Sequence, residues 1–221
     1  DGIFGSDWVG LANFKMVFRN KDFYTVLRNT IVISTLKIII GFPFHIILAL
    51  IYNEIKEGPF KTITQSITYL PHFFSWVVLG GLIMNLLSPS SGVVNEIISA
   101  LGGKPIYFLS SKKWFVPILI ISDIWAQIGW GSIIYLAAIC SISPDFYEAA
   151  MLDGATKRQK MINITIPCIM PTIITMFILN LGGILNAGFD QIFNLYNPAV
   201  YDVADIIDTY VYREGIGNYR Y

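Results

Sequence analysis

Four stretches of the chain run apolar for more than twenty residues: Ile31 to Tyr52, Ser66 to Ser88, Trp114 to Ile142 and Ile166 to Phe189. About 20 such residues, wound as a helix, cross a hydrocarbon core of roughly 30 Å, so each stretch predicts a membrane-spanning helix. The second and fourth hold no Asp, Glu, Lys or Arg; Lys37 interrupts the first and Asp123 the third. Pro43, Pro71, Pro117, Pro167 and Pro171 fall in or beside these runs and predict kinks. Gly80, Gly81, Gly129, Gly131, Gly182 and Gly183 predict close helix packing, with Gly183 and Ala187 as a small-xxx-small pair. Ahead of the first run, Phe14, Val17, Phe18, Phe23 and Val26 recur at roughly helical spacing between Trp8 and Val26, the pattern of an amphipathic interfacial segment.

Composition agrees with this reading. Of 221 residues, 54% are hydrophobic and 14% charged, against about a quarter charged in ordinary soluble domains, and mean hydropathy is +0.59. An autonomous soluble enzyme is thereby disfavoured. Fifteen basic and fifteen acidic residues cancel, which removes a global electrostatic case for nucleic acid. Cys140 and Cys168 sit in apolar runs and read as packing residues rather than a disulfide or zinc site. The runs are too long for the apolar core of a cleaved signal peptide and follow no basic N-terminus, so all four are expected in the mature protein.

One polar connection is chemically specific. From Ser143 to Pro167, Ser143 suits an N-cap, Pro144 the first helical turn, and Asp145 and Glu148 the positive end of the helix dipole. Gly154 supplies a stop. Thr156 and Gln159 fit the capping box of a second helix that carries Met161, Ile162 and Ile166 toward Pro167. Ala149 and Ala150 leave the first helix with a face of little bulk, flanked by the carboxylates of Glu148 and Asp153. From the residues alone, a docking helix and a plain interhelical loop weigh equally.

The run Glu148-Ala-Ala-Met-Leu-Asp-Gly-Ala155, followed by Ile164-Thr-Ile-Pro167 and Pro171, resembles the EAA motif of binding-protein-dependent ABC importer permeases. The resemblance implies that Glu148, Ala149, Ala150, Asp153 and Gly154 form a cytoplasmic coupling helix docking on an ATPase subunit. Met161 stands where that family often has an aromatic residue. Trp8-Val-Gly-Leu-Ala-Asn-Phe14 and Asn29-Thr30 are similar to the start of sugar-type permeases after their first span. Leu181 to Pro198, with Asp208-Thr-Tyr-Val-Tyr-Arg213, looks like the oligosaccharide and polysaccharide branch. The implied fold is an all-α membrane protein, a multi-span helical bundle of the ABC importer permease type. Four spans of a six-span subunit are expected in a chain that is a fragment at both ends.

On this reading residues 1–221 are a single permease domain. Residues 1–29 are an extracytoplasmic amphipathic segment, 30–142 three spans with loops, 143–165 the cytoplasmic coupling helices, 166–189 a span and 190–221 an extracytoplasmic loop. Sidedness rests on the motif, because Lys and Arg number nine on the outer segments and five on the inner ones, against the usual bias.

Polar side chains inside a bilayer are costly, so Gln127, Trp130, Asn180, Asn186 and Asp190 are candidates for the substrate path. Amides and carboxylates hydrogen-bond sugar hydroxyls, and an aromatic ring covers a C–H face; interhelical hydrogen bonding is the competing role. Asp123 reads as an interfacial or buried structural acid, Lys37 as a snorkelling base, and His45 and His72 as helix hydrogen-bonders rather than metal ligands. No GxxxxGK[ST], HExxH or GxSxG element occurs, so the chain is not expected to be an enzyme or to hold a cofactor. ATP and Mg are expected in a partner ATPase dimer. The other expected partners are a second related permease subunit, an extracytoplasmic solute-binding protein and the bilayer, in a bacterial-type cytoplasmic membrane. The expected function is ATP-driven import of a sugar, an oligosaccharide by preference. The alternatives are an ion-coupled secondary transporter, which also uses broken helices, and a membrane scaffold without transport.

Overall fold

The computed structural model describes residues 10–217, and all regular structure among them is helical. A short helix α1 (Ala12–Arg19) ends at Asn20, whose side chain caps the next helix by accepting from the Asp22 amide at 2.9 Å. Helix α2 (Lys21–Glu54) follows. The expected interfacial segment is therefore shorter than read from the sequence. Phe23 and Val26 already belong to the long helix, where Val26 is buried, while Trp8 lies outside the described residues.

Helix α2 contains a π-helical turn, Lys37–Gly41, just ahead of Pro43, and α8 (Lys157–Gly182) contains another, Met161–Thr165, just ahead of Pro167. Proline lacks an amide proton and its ring crowds the carbonyl four residues back. A wider turn at that point relieves both problems without ending the helix. The second coupling-region helix thus runs straight through Pro167 into the span, where the sequence suggested a stop.

The uncharged run from Ser66 to Ser88 is not one straight span. It divides into α3 (Pro59–Phe73) and α4 (Trp76–Leu86), which meet at 105°. A 3-10 turn at Leu70–Phe73, built on Pro71, tightens the end of α3, and Phe74 and Ser75 are extended. The Ser75 carbonyl then accepts the first amides of α4, Val78 and Leu79, at 3.0 Å each. Hydropathy reports apolar length and is blind to such a bend. By length and composition three helices among the described residues can cross a membrane, or four if the bent pair is one span.

After α5 (Val93–Ala100), α6 (Lys112–Cys140) forms the axis of the bundle and joins both buried clusters. Phe115 and Leu119 pack with Ile33, Ile83, Ile192 and Ile206, and Tyr135 and Ile139 pack with Phe42, Ala49 and Ile169. Two of the flagged glycines set helix spacing here. A Cβ on Gly129 would lie 2.1 Å from the Thr68 carbonyl oxygen, and one on Gly131 would meet the His45 ring at 2.7 Å. Around Gly81 and Gly182 there is open space instead. Helix α8 ends at Gly182, so Gly183 and Ala187 share no helix and the small-xxx-small pair is not formed.

Residues 190–217 are not a plain loop. They form α9 (Phe189–Leu195), α10 (Tyr201–Ala204), α11 (Ile207–Val211) and a terminal π turn packed on α2 and α6. Asn29 holds this cap: buried, it donates to the carbonyls of Tyr201, Asp202 and Asp205 at 3.5, 3.1 and 3.0 Å. Its neighbour Thr30 accepts from the Ile207 amide at 3.0 Å. Arg213 bonds Asp205 at 2.7 Å and lies over the Tyr201 ring. Burial opposes the guanidinium charge, but Asp205 outweighs it and holds Arg213 above the ordinary arginine range. Asn29→Leu should strand these carbonyls. The expected cost is about 2–4 kcal/mol of local stability, read as faster amide exchange confined to residues 201–213.

The contacts sort the connections onto two ends. Lys157 pairs with Glu54 at 3.2 Å, which puts the 143–165 connection beside the end of α2. At the opposite end, Lys112 pairs with Asp202, and Asn20 bonds Tyr210. Between them the long helices expose Ile39, Ile47, Ile67, Ile121, Ile174 and Ile178, surface suited to lipid or to another apolar helix.

Candidate functional site

Between α2, α6 and the turn after α8 lies a cavity of about 540 Å³, within the range of roughly 300–1,000 Å³ typical of small-molecule sites. Lys37, His45, Asp123, Gln127, Asn180 and Asn186 line it. The cost of burying a cation is met by geometry. Lys37 Nζ lies 3.0 Å from Asp123 and donates to the Gln191 side-chain oxygen. Gln191, itself buried, donates in turn to the Leu119 carbonyl and to Ser122 at 2.8 Å each. Gly188, with φ +91°, closes the turn beside the ammonium; a Cβ there would lie 2.7 Å from Nζ. Lys37 therefore does not snorkel, and of the two roles read for Asp123, interfacial or buried structural, the ion pair with Lys37 fits the second.

A second cavity of about 370 Å³ shares Gln127 with the first and adds His72, Asp190 and Asn194. His72 Nδ1 and Gln127 are 2.9 Å apart, and the His72 ring stacks on Trp130 at 4.6 Å between centroids. Gln127 thus forms the wall between two polar spaces. Asn180 and Asn186 meet at the first cavity and Asp190 lies on the second, but not as side chains of one helix. Asn180 is on α8, Asn186 in the following turn and Asp190 in the first turn of α9. Their own hydrogen bonds are local: Asn180 donates to the Met176 carbonyl, Asn186 accepts from the Gly188 amide, and the Asp190 carbonyl accepts from Asn194.

Far from the cavities, α7 (Pro144–Leu152) projects from the bundle with no buried residue. Ser143 accepts from the Asp145 amide, and the Thr156–Gln159 capping box forms as the spacing predicts. Gly154 ends α7 at φ +77°. The amides of Ala155 and Gly154 bond the carbonyls of Ala150 and Met151 at 2.8 and 3.1 Å, a Schellman closure that needs the left-handed residue. Glu148, Ala149, Asp153 and Gly154 are exposed and Ala150 half-buried. Beside them Phe146, Met151 and Leu152 are exposed, Leu152 at 90%.

Residues 30–212 match the family described as binding-protein-dependent transport system inner membrane component. The chain belongs to this family. The permease is 41% identical to protein LplB of Bacillus subtilis, over all of this chain and 70% of that one. It is 43% identical to the polygalacturonan/rhamnogalacturonan transport system permease protein YteP of the same organism, over all of this chain and 69% of that one. A crystal structure of a bacterial ABC transporter involved in import of the acidic polysaccharide alginate contains a chain that superposes with TM-score 0.94. The identity there is 45%, covering 99% of this chain and 76% of that one. A crystal structure of a bacterial alginate ABC transporter in complex with an alginate pentasaccharide-bound periplasmic protein gives 0.92 at 45% identity, over 96% and 74% of the two chains. The permease is thus an all-α inner-membrane transport component, which sets aside the ion-coupled and scaffold alternatives.

Among the permease's polar cavity residues, the substrate-path candidates left out Ser34, Lys37, His45, His72, Asp123 and Asn194. Two of these polar groups have partners far along the chain: Lys37 with Asp123, and His72 with Gln127.

Proposed function

We propose that this permease is the membrane subunit through which an ABC importer moves an oligosaccharide delivered by an extracytoplasmic binding protein. ATP and Mg belong to a separate ATPase dimer that docks on α7, and a second, related permease completes the path. The names of its relatives, permeases and transporters of polysaccharides and sugars, support the substrate class.

One observation carries the mechanism: the exposed helix α7 is joined on both sides to helices that line the first cavity. Helix α6, ahead of it, carries Asp123 and Gln127, and α8, after it, is a 26-residue rod that reaches Asn180. A rigid helix transmits displacement along its axis, so movement of α7 by a closing ATPase dimer would shift the cavity walls relative to each other. Glu148 and Asp153 offer charges to the docking cleft, Ala149 and Ala150 a shallow face, and Phe146 and Leu152 apolar anchors. This assigns the 53–65 and 143–165 connections to the cytoplasm and residues 190–217 to the outside.

A cysteine at Ala150, in the full-length subunit co-expressed with its ATPase, should crosslink to the ATPase with a yield that changes on nucleotide binding. Labelling of that cysteine from outside the cell, with no crosslink, would invert the orientation and remove the docking role.

A further inference from the structure

Lys37 is an unusual group to find on a cavity wall inside a bilayer. Its side chain is 12% exposed, and it borders the first cavity, so its desolvation is already offset by Asp123 and Gln191 before any solute arrives. Asp123 is the more exposed partner at 25%, borders the same cavity, and lies within electrostatic reach of the His45 imidazole, another lining residue. One turn before Lys37, Ser34 also lines the cavity. Its hydroxyl is buried and has no hydrogen-bond partner among the described residues. A cation and a replaceable counter-ion therefore face one space, with an unused hydroxyl buried in its wall. The amides of Gln127, Asn180 and Asn186 stand around it.

We propose that Lys37 and Ser34 form a carboxylate subsite in the permease, which Asp123 occupies when no solute is present. The ligand class is an acidic saccharide, a chain bearing uronate groups. This rests on the oligosaccharide reading above and names its chemistry. One uronate oxygen takes the ammonium in place of Asp123 and the other accepts from the Ser34 hydroxyl, while Asp123 turns to the cavity water and His45. The exchange replaces one carboxylate by another at the ammonium, and the displaced Asp123 charge is left to the polar groups of the cavity. A neutral sugar has nothing to offer the ammonium that matches Asp123, and it leaves the pair closed. Selectivity thus comes from competition, and the internal carboxylate also keeps the bound solute from being held too tightly to leave. Gly188 contributes by its lack of a side chain, since a Cβ would press on the ammonium.

The test uses the full-length subunit assembled with its partner permease and ATPase in nanodiscs, without binding protein. Equilibrium binding of radiolabelled trigalacturonate is compared with that of its fully methyl-esterified, neutral form. The wild type should prefer the acid at least tenfold. Lys37→Gln should abolish that preference, and Asp123→Asn, which removes the competing carboxylate, should tighten the acid several-fold. Ser34→Ala should weaken the acid alone, by a few-fold. Equal binding of acid and ester by wild type and Lys37→Gln would overturn the subsite yet leave the saccharide reading standing. No saturable binding of either form would overturn the saccharide reading itself. Should Lys37→Gln fail to assemble, Asp123→Asn decides: loss of acid binding there would make the pair structural only.

Discussion

Gly129→Val should abolish assembly of the subunit in the membrane. The α-carbon of Gly129 sits where α6 crosses α3, and a Cβ would lie 2.1 Å from the Thr68 oxygen, 2.5 Å from its carbonyl carbon and 2.9 Å from the Tyr69 ring. Ordinary contact is 3.4–4 Å. The nearest atoms are backbone, so no rotamer change relieves the clash, and the helices must separate. Separation would disturb the Tyr52 hydroxyl, which bridges α2 to α3 through Thr68 Oγ1 at 2.6 Å and the Thr64 carbonyl at 3.1 Å. Overpacking a core by a methylene or two commonly costs about 1–3 kcal/mol; with backbone as the obstacle the cost should exceed that range. The readout is the monodisperse fraction on size-exclusion in detergent, with Gly81→Ala, which adds its methyl to open space, running as wild type. A stable Gly129→Val subunit would show that α6 and α3 do not meet as described.

Gly154→Pro should uncouple transport while the subunit still inserts. Gly154 stands at φ +77°, whereas the proline ring fixes φ near −65°, and proline also lacks the amide that bonds the Met151 carbonyl. Such a residue costs about 3 kcal/mol or more within regular structure, enough to unravel the last turn of α7 and reorient Glu148 and Ala150. Because α7 has no buried residue and meets the bundle through Tyr147, which bonds Thr165 at 2.9 Å, the buried clusters of the bundle should stay intact. Binding-protein-stimulated ATP hydrolysis in proteoliposomes should fall at least tenfold. Gly154→Asn, which tolerates the left-handed region, should retain most of it. Wild-type stimulation in the proline variant would remove α7 from the coupling path.

Much of this permease was legible along the chain, because the bilayer and local hydrogen bonding act on neighbouring residues. The runs from Trp114 to Ile142 and from Ile166 predicted α6 and the membrane part of α8 to within a few residues at the α6 ends, since crossing hydrocarbon demands an unbroken apolar length. The caps at Ser143, Gly154 and Thr156 were equally readable, each satisfying amides or carbonyls at most a turn away. The bend at Phe74 and Ser75 was not, because an uncharged run reads the same whether straight or folded back. Nor was the end of α8 at Gly182, which moved Asn186 and Asp190 onto separate elements and yet left Asn180 and Asn186 on one cavity. Lys37 and Asp123 are 86 positions apart, and nothing local marks either as the other's partner. Apolar length and capping chemistry determined the long helices α6 and α8 and the exposed helix α7. Which polar groups meet across the bundle was decided by tertiary packing alone, because a charge in a low-dielectric interior is stable only where another element brings its counter-charge within reach.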